Sequence, residues 1–136
     1  MLARACVAAI ALAVLGWLGI MERNVRLEAR GAAAVRPGAA PERLAAAETD
    51  LRRARLLNPD AQPDIDLALL YRARGEAVRA SAVIEDVVRR EPDNRVAWGV
   101  LFVLARGRDP EASARALAAL RRLDPLNARR APPAPP

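Results

Sequence analysis

The sequence contains no histidine, no lysine and a single cysteine, Cys6. Without histidine, neither a Cys/His zinc site nor a Ser-His-Asp triad can be assembled. Without lysine, a Walker-type phosphate-binding loop lacks its cation. One cysteine cannot form an intramolecular disulfide, so cysteine usage gives no information on the redox compartment. We therefore predict a protein that is not an enzyme and that holds no cofactor and no metal ion.

Aromatic residues are also scarce, at 3% of the chain, whereas alanine, leucine and arginine are abundant. This composition favours helices over sheets, so we expect an all-α fold. A chain of 136 residues has room for one small domain with appendages. The neighbouring acidic residues Asp64 and Asp66, or Glu85 and Asp86, do not share a helix face, which argues against a carboxylate pair for acid–base catalysis.

Residues 5–21 form a run of 17 uncharged residues, with Trp17 near its end. At about 1.5 Å per residue such a helix reaches roughly 26 Å, close to the thickness of the hydrocarbon core. Trp17 suits the membrane–water interface. We predict a transmembrane helix, in preference to a buried core helix or a cleaved signal peptide. The nearest small-residue cleavage site, at residues 32–34, lies downstream of several charged residues.

The expected location is therefore the cell membrane, crossed once, with lipid contact through residues 2–21. The orientation stays open. Arginines after the span favour a cytoplasmic position for the rest of the chain, whereas a short, signal-like N-terminus favours export. We lean towards the extracytoplasmic side. The use of arginine in place of lysine, with much alanine, is typical of high-GC bacterial genomes.

The net charge of +6 is distributed unevenly along the chain. Residues 1–41 carry +3, residues 42–127 carry +1, and the remaining residues carry +2. A nearly neutral body argues against a nucleic-acid partner. The basic excess around residues 23–36 would face either anionic lipid headgroups or only water.

Prolines and glycines divide the chain into four predicted parts. Pro41 and Glu42 suit the first turn of a helix. Asp109 suits the N-cap of another helix, with Pro110 in its first turn. The parts are a transmembrane anchor (1–21), a juxtamembrane helix with a Pro/Gly linker (22–40), a helical repeat domain of about five helices (41–127) and a disordered Pro-rich tail (128–136).

Three phrases recur at an interval of 33 residues, namely LLNPDA, RREPDN and RLDPLN. Before each phrase, apolar residues stand four and then three residues apart, which is one face of a helix. The proline in the phrase ends that helix. Partner helices precede the second and third copies at about residues 63–74 and 95–106. In the first copy, Pro37 and Gly38 fall where the partner helix should lie.

The middle copy resembles the tetratricopeptide repeat, a helix–turn–helix unit of about 34 residues. Trp98 and Leu101 of the last copy fit the opening pattern of that family, whereas Phe102 and Ala105 depart from it. The residues that carry the resemblance in the middle copy are Leu67, Ala68, Tyr71, Gly75, Ala80, Ile84, Val87 and Pro92. The helix-packing residues that we expect by this resemblance are Leu67, Ala68, Tyr71, Ala80, Ile84, Val87, Trp98, Leu101, Leu117 and Leu120.

The resemblance also implies a binding surface, because the first helices of such repeats line a concave face that grips extended peptides. The candidate partner-binding residues are Asp66, Leu69, Arg72, Val103 and Arg106. The family's basic clamp for an acidic chaperone tail requires lysine, which this chain lacks, so that partner class is disfavoured.

The last predicted helix, 111–123, has no successor to cover Ala116, Ala119, Leu120 and Leu123. A second copy, a partner or the bilayer surface could cover it, or it could stay exposed. We predict a membrane-anchored scaffold or adaptor for protein partners at the bacterial cell envelope, whose anchor raises the effective concentration of what it binds. The alternative is an accessory subunit of a larger membrane complex, with the uncovered repeat end as an obligate interface. A homo-oligomer is compatible with either.

Overall fold

The computed structural model describes residues 2–36, 39–56 and 58–125, and within these residues it contains six α-helices and no strand. The predicted all-α class is thus confirmed. The predicted disordered tail, 128–136, lies outside the described residues. The helices are α1 (Leu2–Ala34), α2 (Pro41–Arg55), α3 (Gln62–Ala73), α4 (Ala77–Arg90), α5 (Arg95–Ala105) and α6 (Pro110–Leu123).

The predicted transmembrane helix is wrong. No helix in the described part of the chain combines the length and the apolar character needed to cross a bilayer. Helix α1 runs without a break from Leu2 to Ala34, so residues 5–21 and the charged residues between 22 and 30 share one helix. The expected lipid contact through residues 2–21 was inferred from this spanning helix, so it no longer has that support.

The chain forms two compact units, Met1–Asp66 and Leu67–Pro136. The boundary between them falls inside α3. Unit 1 contains α1, α2 and the first turn of α3. Unit 2 contains the rest of α3 together with α4, α5 and α6.

Unit 1 is built on an antiparallel pair formed by α1 and α2. Pro41 starts α2 and Glu42 lies in its first turn, as predicted. The Nδ2 atom of Asn24 donates a hydrogen bond to the carbonyl oxygen of Leu56 at 3.3 Å. Two turns of helix further along α1, Gly31 packs on Leu51. The second half of α1 is therefore the partner helix of α2, a pairing that the prolines and glycines of the linker obscure in the sequence.

Unit 2 is held in register by two glycine turns and two helix caps. Gly75 and Gly107 adopt φ values of +78° and +77°, which favour glycine over any L residue. The side chain of Asn94 accepts a hydrogen bond from the Ala97 amide at 3.0 Å, which caps the start of α5. The predicted cap of α6 is confirmed, because Asp109 accepts from the Ala112 amide at 2.9 Å and Pro110 opens the helix.

Helices α5 and α6 form a second antiparallel pair. Arg95 at the start of α5 pairs with Asp124 after the end of α6 at 2.9 Å. The Pro92 carbonyl oxygen accepts hydrogen bonds from the Trp98 indole at 2.8 Å and from the Arg122 guanidinium at 3.1 Å. The α4–α5 turn is thereby tied to both helices of the pair.

The expected helix-packing residues differ in how far they are covered. Helix α4 shows the pattern clearly, since Ala80, Ile84 and Val87 are completely buried at a spacing of four and three. Three of the expected residues are half-buried, namely Trp98, Leu117 and Leu120. The buried ones are Leu67, Ala68, Tyr71, Ala80, Ile84, Val87 and Leu101.

Candidate functional site

An apolar strip runs along the outer side of α5. Val96 and Val103 are 55% and 48% exposed, and Val100 between them is half-buried. Their spacing of four and three residues places them on one face of the helix. Arg106, three residues after Val103, directly follows the end of α5. We call Val96, Val100, Val103 and Arg106 the α5 face.

The α5 face exists because α5 is apolar on every side. Residues 96–105 are all uncharged, and Ala97, Leu101, Leu104 and Ala105 are buried on the inner side. The valines of the α5 face lie on the outer side of the helix. Their apolar surface is removed from water only if a partner covers it.

The structure separates the five candidate partner-binding residues. Val103 and Arg106 belong to the α5 face. Leu69 and Arg72 are one turn apart on α3, where Leu69 is half-buried and Arg72 is exposed. Asp66 lies in unit 1 and is only 7% exposed, so it does not belong to the surface of unit 2.

Asp66 instead takes part in a small acidic environment within unit 1. Its Oδ1 atom accepts a hydrogen bond from Nε2 of Gln62 at 3.1 Å. Burial raises the pKa of the Asp66 carboxyl, and the bond from Gln62 lowers it by a smaller amount. Burial also raises the pKa of Glu28, and the negative charges of Asp66 and Asp60 raise it further. Glu28 and Asp60 were not predicted from the sequence, because they are distant from each other in the chain and share no motif.

Asp64 and Asp86, which the sequence analysis considered for acid–base chemistry, form ion pairs. Asp64 pairs with Arg55 at 3.0 Å. Asp86 pairs with Arg89 at 2.7 Å and with Arg90 at 3.0 Å. The hydrogen bond from Arg89 lowers the pKa of Asp86. Within residues 2–36, 39–56 and 58–125, no three Asp, Glu or Cys side chains are arranged to hold a metal ion.

The outer side of α6 is less open than its position at the end of the repeats suggested. Ala116 is completely buried, whereas Ala119, Leu120 and Leu123 are half-buried. Three partly covered apolar side chains remain on the last helix of unit 2. Each of these three side chains is less exposed than Val96 and Val103 of the α5 face.

The first half of α1 exposes many apolar side chains. Between 49% and 70% of the surface of each is accessible to solvent. They are Val7, Ile10, Leu12, Val14, Leu15, Trp17 and Leu18. Further along the same helix, Arg23, Arg26 and Arg30 share one face, and Arg26 forms an ion pair with Glu22.

Comparison with known proteins adds no relative: no protein-family model, curated protein or solved structure matches the chain.

Proposed function

We propose that the chain is a small helical-repeat adaptor, of tetratricopeptide type, that binds a protein segment on the α5 face. It works by holding partners, without chemistry of its own. The single observation that carries the proposal is the exposure of Val96 and Val103 beside the buried inner side of the same helix.

Three features support this reading. The fold is all-α and contains antiparallel helix pairs, which is the architecture of repeat proteins. The intervals of 33 residues between repeated phrases agree with repeated units. An exposed valine strip that ends in an arginine matches a peptide segment with apolar side chains and an acidic group or a carboxylate near one end.

A peptide-display selection on the purified full chain tests the proposal. Immobilised protein is offered a library of random extended peptides, and the enriched sequences are resynthesised for affinity measurement. We expect enrichment of apolar peptides with an acidic residue. We expect V103R to weaken their binding by at least about tenfold, since it replaces one of the exposed valines of the apolar strip with a charge.

Val78 provides a matched control because it is also an exposed valine, 85% accessible, at the start of α4. V78R introduces the same charge away from the α5 face and should leave peptide binding unchanged. A library without enrichment would contradict the proposal, as would peptides that bind V103R as well as the unchanged protein.

A second candidate function is that of an accessory subunit in a larger assembly. The half-buried Leu120 and Leu123 of α6 favour it, because a subunit packed on that side would complete their burial. Sedimentation of the full chain distinguishes the two functions. Self-association that L123R abolishes supports the subunit, whereas a monomer that binds peptides through the α5 face supports the adaptor.

A further inference from the structure

The first half of α1 extends beyond the helix that packs on its second half. The contacts between α1 and α2 join Gly31 to Leu51 and Asn24 to the carbonyl oxygen of Leu56. Leu56 is the residue directly after the end of α2. Helix α2 therefore ends about level with Asn24, whereas α1 continues from there back to Leu2. This explains why the apolar side chains before Asn24 are exposed.

The exposed side chains of this half lie on different sides of the helix. Val7 is 67% exposed, Leu12 is 70% exposed and Trp17 is 52% exposed. Five residues advance an α-helix by about 140° beyond a full turn, so these three side chains leave the helix in three directions. A second helix packed alongside would cover one of these directions, whereas lipid acyl chains surround a helix on every side.

Arginine side chains follow the apolar half on the outer side of α1. Arg23, Arg26 and Arg30 are exposed, and their spacing of three and four residues places them on one face. This face is turned away from the side on which Asn24 and Gly31 contact α2. We call Arg23, Arg26 and Arg30 the arginine face.

The arginine face offers positive charge to an anion. Within residues 2–36, 39–56 and 58–125, neither Arg23 nor Arg30 forms an ion pair, whereas Arg26 pairs with Glu22. The three arginines and Glu22 line a shallow depression of about 240 Å³. Guanidinium groups bind phosphate through paired, charge-assisted hydrogen bonds. The face therefore complements a surface that presents phosphate groups.

We propose that the first half of α1 and the arginine face together dock on the surface of an anionic lipid bilayer. The apolar side chains enter the acyl chains of one leaflet, and the arginines stay at the level of the phosphate groups. From Val7 to Trp17 the helix rises about 15 Å, which is half of a hydrocarbon core of about 30 Å. Trp17 then lies near the headgroups, where an indole ring is favoured.

This lipid surface goes beyond the proposed function. It belongs to unit 1 and contacts lipid, whereas the α5 face belongs to unit 2 and contacts peptide. Each can bind its ligand if the other does not. Vesicle binding is assessed with L12D and peptide binding with V103R, so the two failures are distinguishable.

Flotation of the full chain with lipid vesicles tests the proposal. We expect the protein to float with vesicles of phosphatidylcholine mixed with phosphatidylglycerol, and more weakly with phosphatidylcholine alone. L12D should weaken binding by at least about tenfold, because it places a carboxylate among the acyl chains. V78D is the matched control, since Val78 is 85% exposed at the start of α4 and lies outside α1. It should bind as the unchanged protein does.

A pair of charge variants tests the arginine face. R23Q/R30Q should weaken binding to the anionic vesicles by at least about fivefold and reduce the preference for them over neutral vesicles. R43Q/R121Q removes the same charge from exposed positions on α2 and α6 and should keep that preference. Equal losses in the two variants would show that net charge, rather than the arginine face, attracts the protein, and would overturn the proposal.

Tryptophan fluorescence identifies the part of the chain that enters the lipid. The chain has two tryptophans, so W98F leaves Trp17 as the reporter and W17F leaves Trp98. We expect the emission of W98F to shift to shorter wavelength with anionic vesicles, and that of W17F to stay unchanged. Absence of flotation, undiminished flotation of L12D, or a shift in W17F alone would each overturn the proposal. A dimer that forms without lipid and that L12D dissociates would assign the surface to a second copy instead.

Discussion

Gly31 of α1 lies directly against Leu51 of α2. A Cβ atom built on Gly31 would stand 2.5 Å from Cγ of Leu51 and 2.7 Å from its Cδ2. Both residues are buried, and Leu51 is completely inaccessible to solvent. The absence of a side chain at Gly31 therefore allows the two helices of unit 1 to approach each other at this point.

Replacing Gly31 with alanine should destabilise the protein. The added methyl group would overlap Cγ, which lies near the root of the Leu51 side chain and cannot move without the rest. Overpacking of this kind costs about 1–3 kcal/mol, more than the gain of about 1 kcal/mol in helix propensity. Urea unfolding, followed by far-UV circular dichroism, measures the difference.

Gly19 is the matched control, because it lies in the same helix and a Cβ atom at its position would have nothing within 4 Å. G19A should be neutral or stabilising, by up to about 1 kcal/mol. If G31A were as stable as G19A, the close approach of α1 and α2 at Gly31 would be wrong.

The same contact shows what the sequence could and could not predict. The face of α2 was readable, because Leu51 and Ala54 follow the repeat spacing and are buried. The partner helix of α2 could not be predicted in the same way. Gly31 stands among alanines, and nothing in that part of the sequence indicates that this position requires glycine. The apolar run before Trp17 indicated a bilayer, whereas the pairing of α1 depends on its charged second half.

The candidate site was predicted unevenly for a similar reason. Val103 lies on the regular helix α5 and Arg106 directly follows its end, so their nearness follows from spacing alone. Asp66 was selected by analogy with the concave helices of the repeat family, yet its neighbour Glu28 is distant in sequence. Only the tertiary fold brings such residues together, and no local pattern indicates it.

Stability should increase as the pH falls from neutrality towards the ordinary pKa range of carboxyl groups. In the folded state, the pKa of Glu28 is raised above its ordinary value of 4.5 and that of Asp66 above 3.8. A group whose pKa is raised on folding stabilises the fold when protonated. That contribution is lost as the pH rises through the folded pKa. Urea unfolding at several pH values in this window measures the slope.

E28Q should raise stability at pH 7 and reduce the slope, because glutamine is neutral at every pH in this window. E85Q, on α4, is the control and should leave the slope unchanged. Asp86 responds in the opposite sense, since its pKa is lowered by Arg89, but that contribution is lost only as the pH falls below the window. A slope that E28Q does not reduce would show that Glu28 is not the group responsible.

The cap at Asp109 should contribute measurably to stability. Its side chain satisfies the Ala112 amide at the start of α6, which has no partner within the helix. D109A should cost about 1 kcal/mol, whereas D109N should cost much less because asparagine caps almost as well. Thermal unfolding compares the three proteins. Equal losses in D109A and D109N would mean that the charge of Asp109, rather than its hydrogen bond, matters.

Replacing Asn24 with leucine should stabilise the protein. Leucine has a similar volume and removes the buried Oδ1 atom that lacks a donor. The Leu56 carbonyl also loses its bond from Nδ2, but at 3.3 Å that bond is long and therefore weak. We therefore expect N24L to be more stable than the unchanged protein by about 1 kcal/mol in urea unfolding. N24D, which places a negative charge at the same buried position, should be less stable at neutral pH and should recover stability as the pH falls. If N24L were less stable than the unchanged protein, the bond from Nδ2 to the Leu56 carbonyl would outweigh the cost of the unpaired Oδ1 atom.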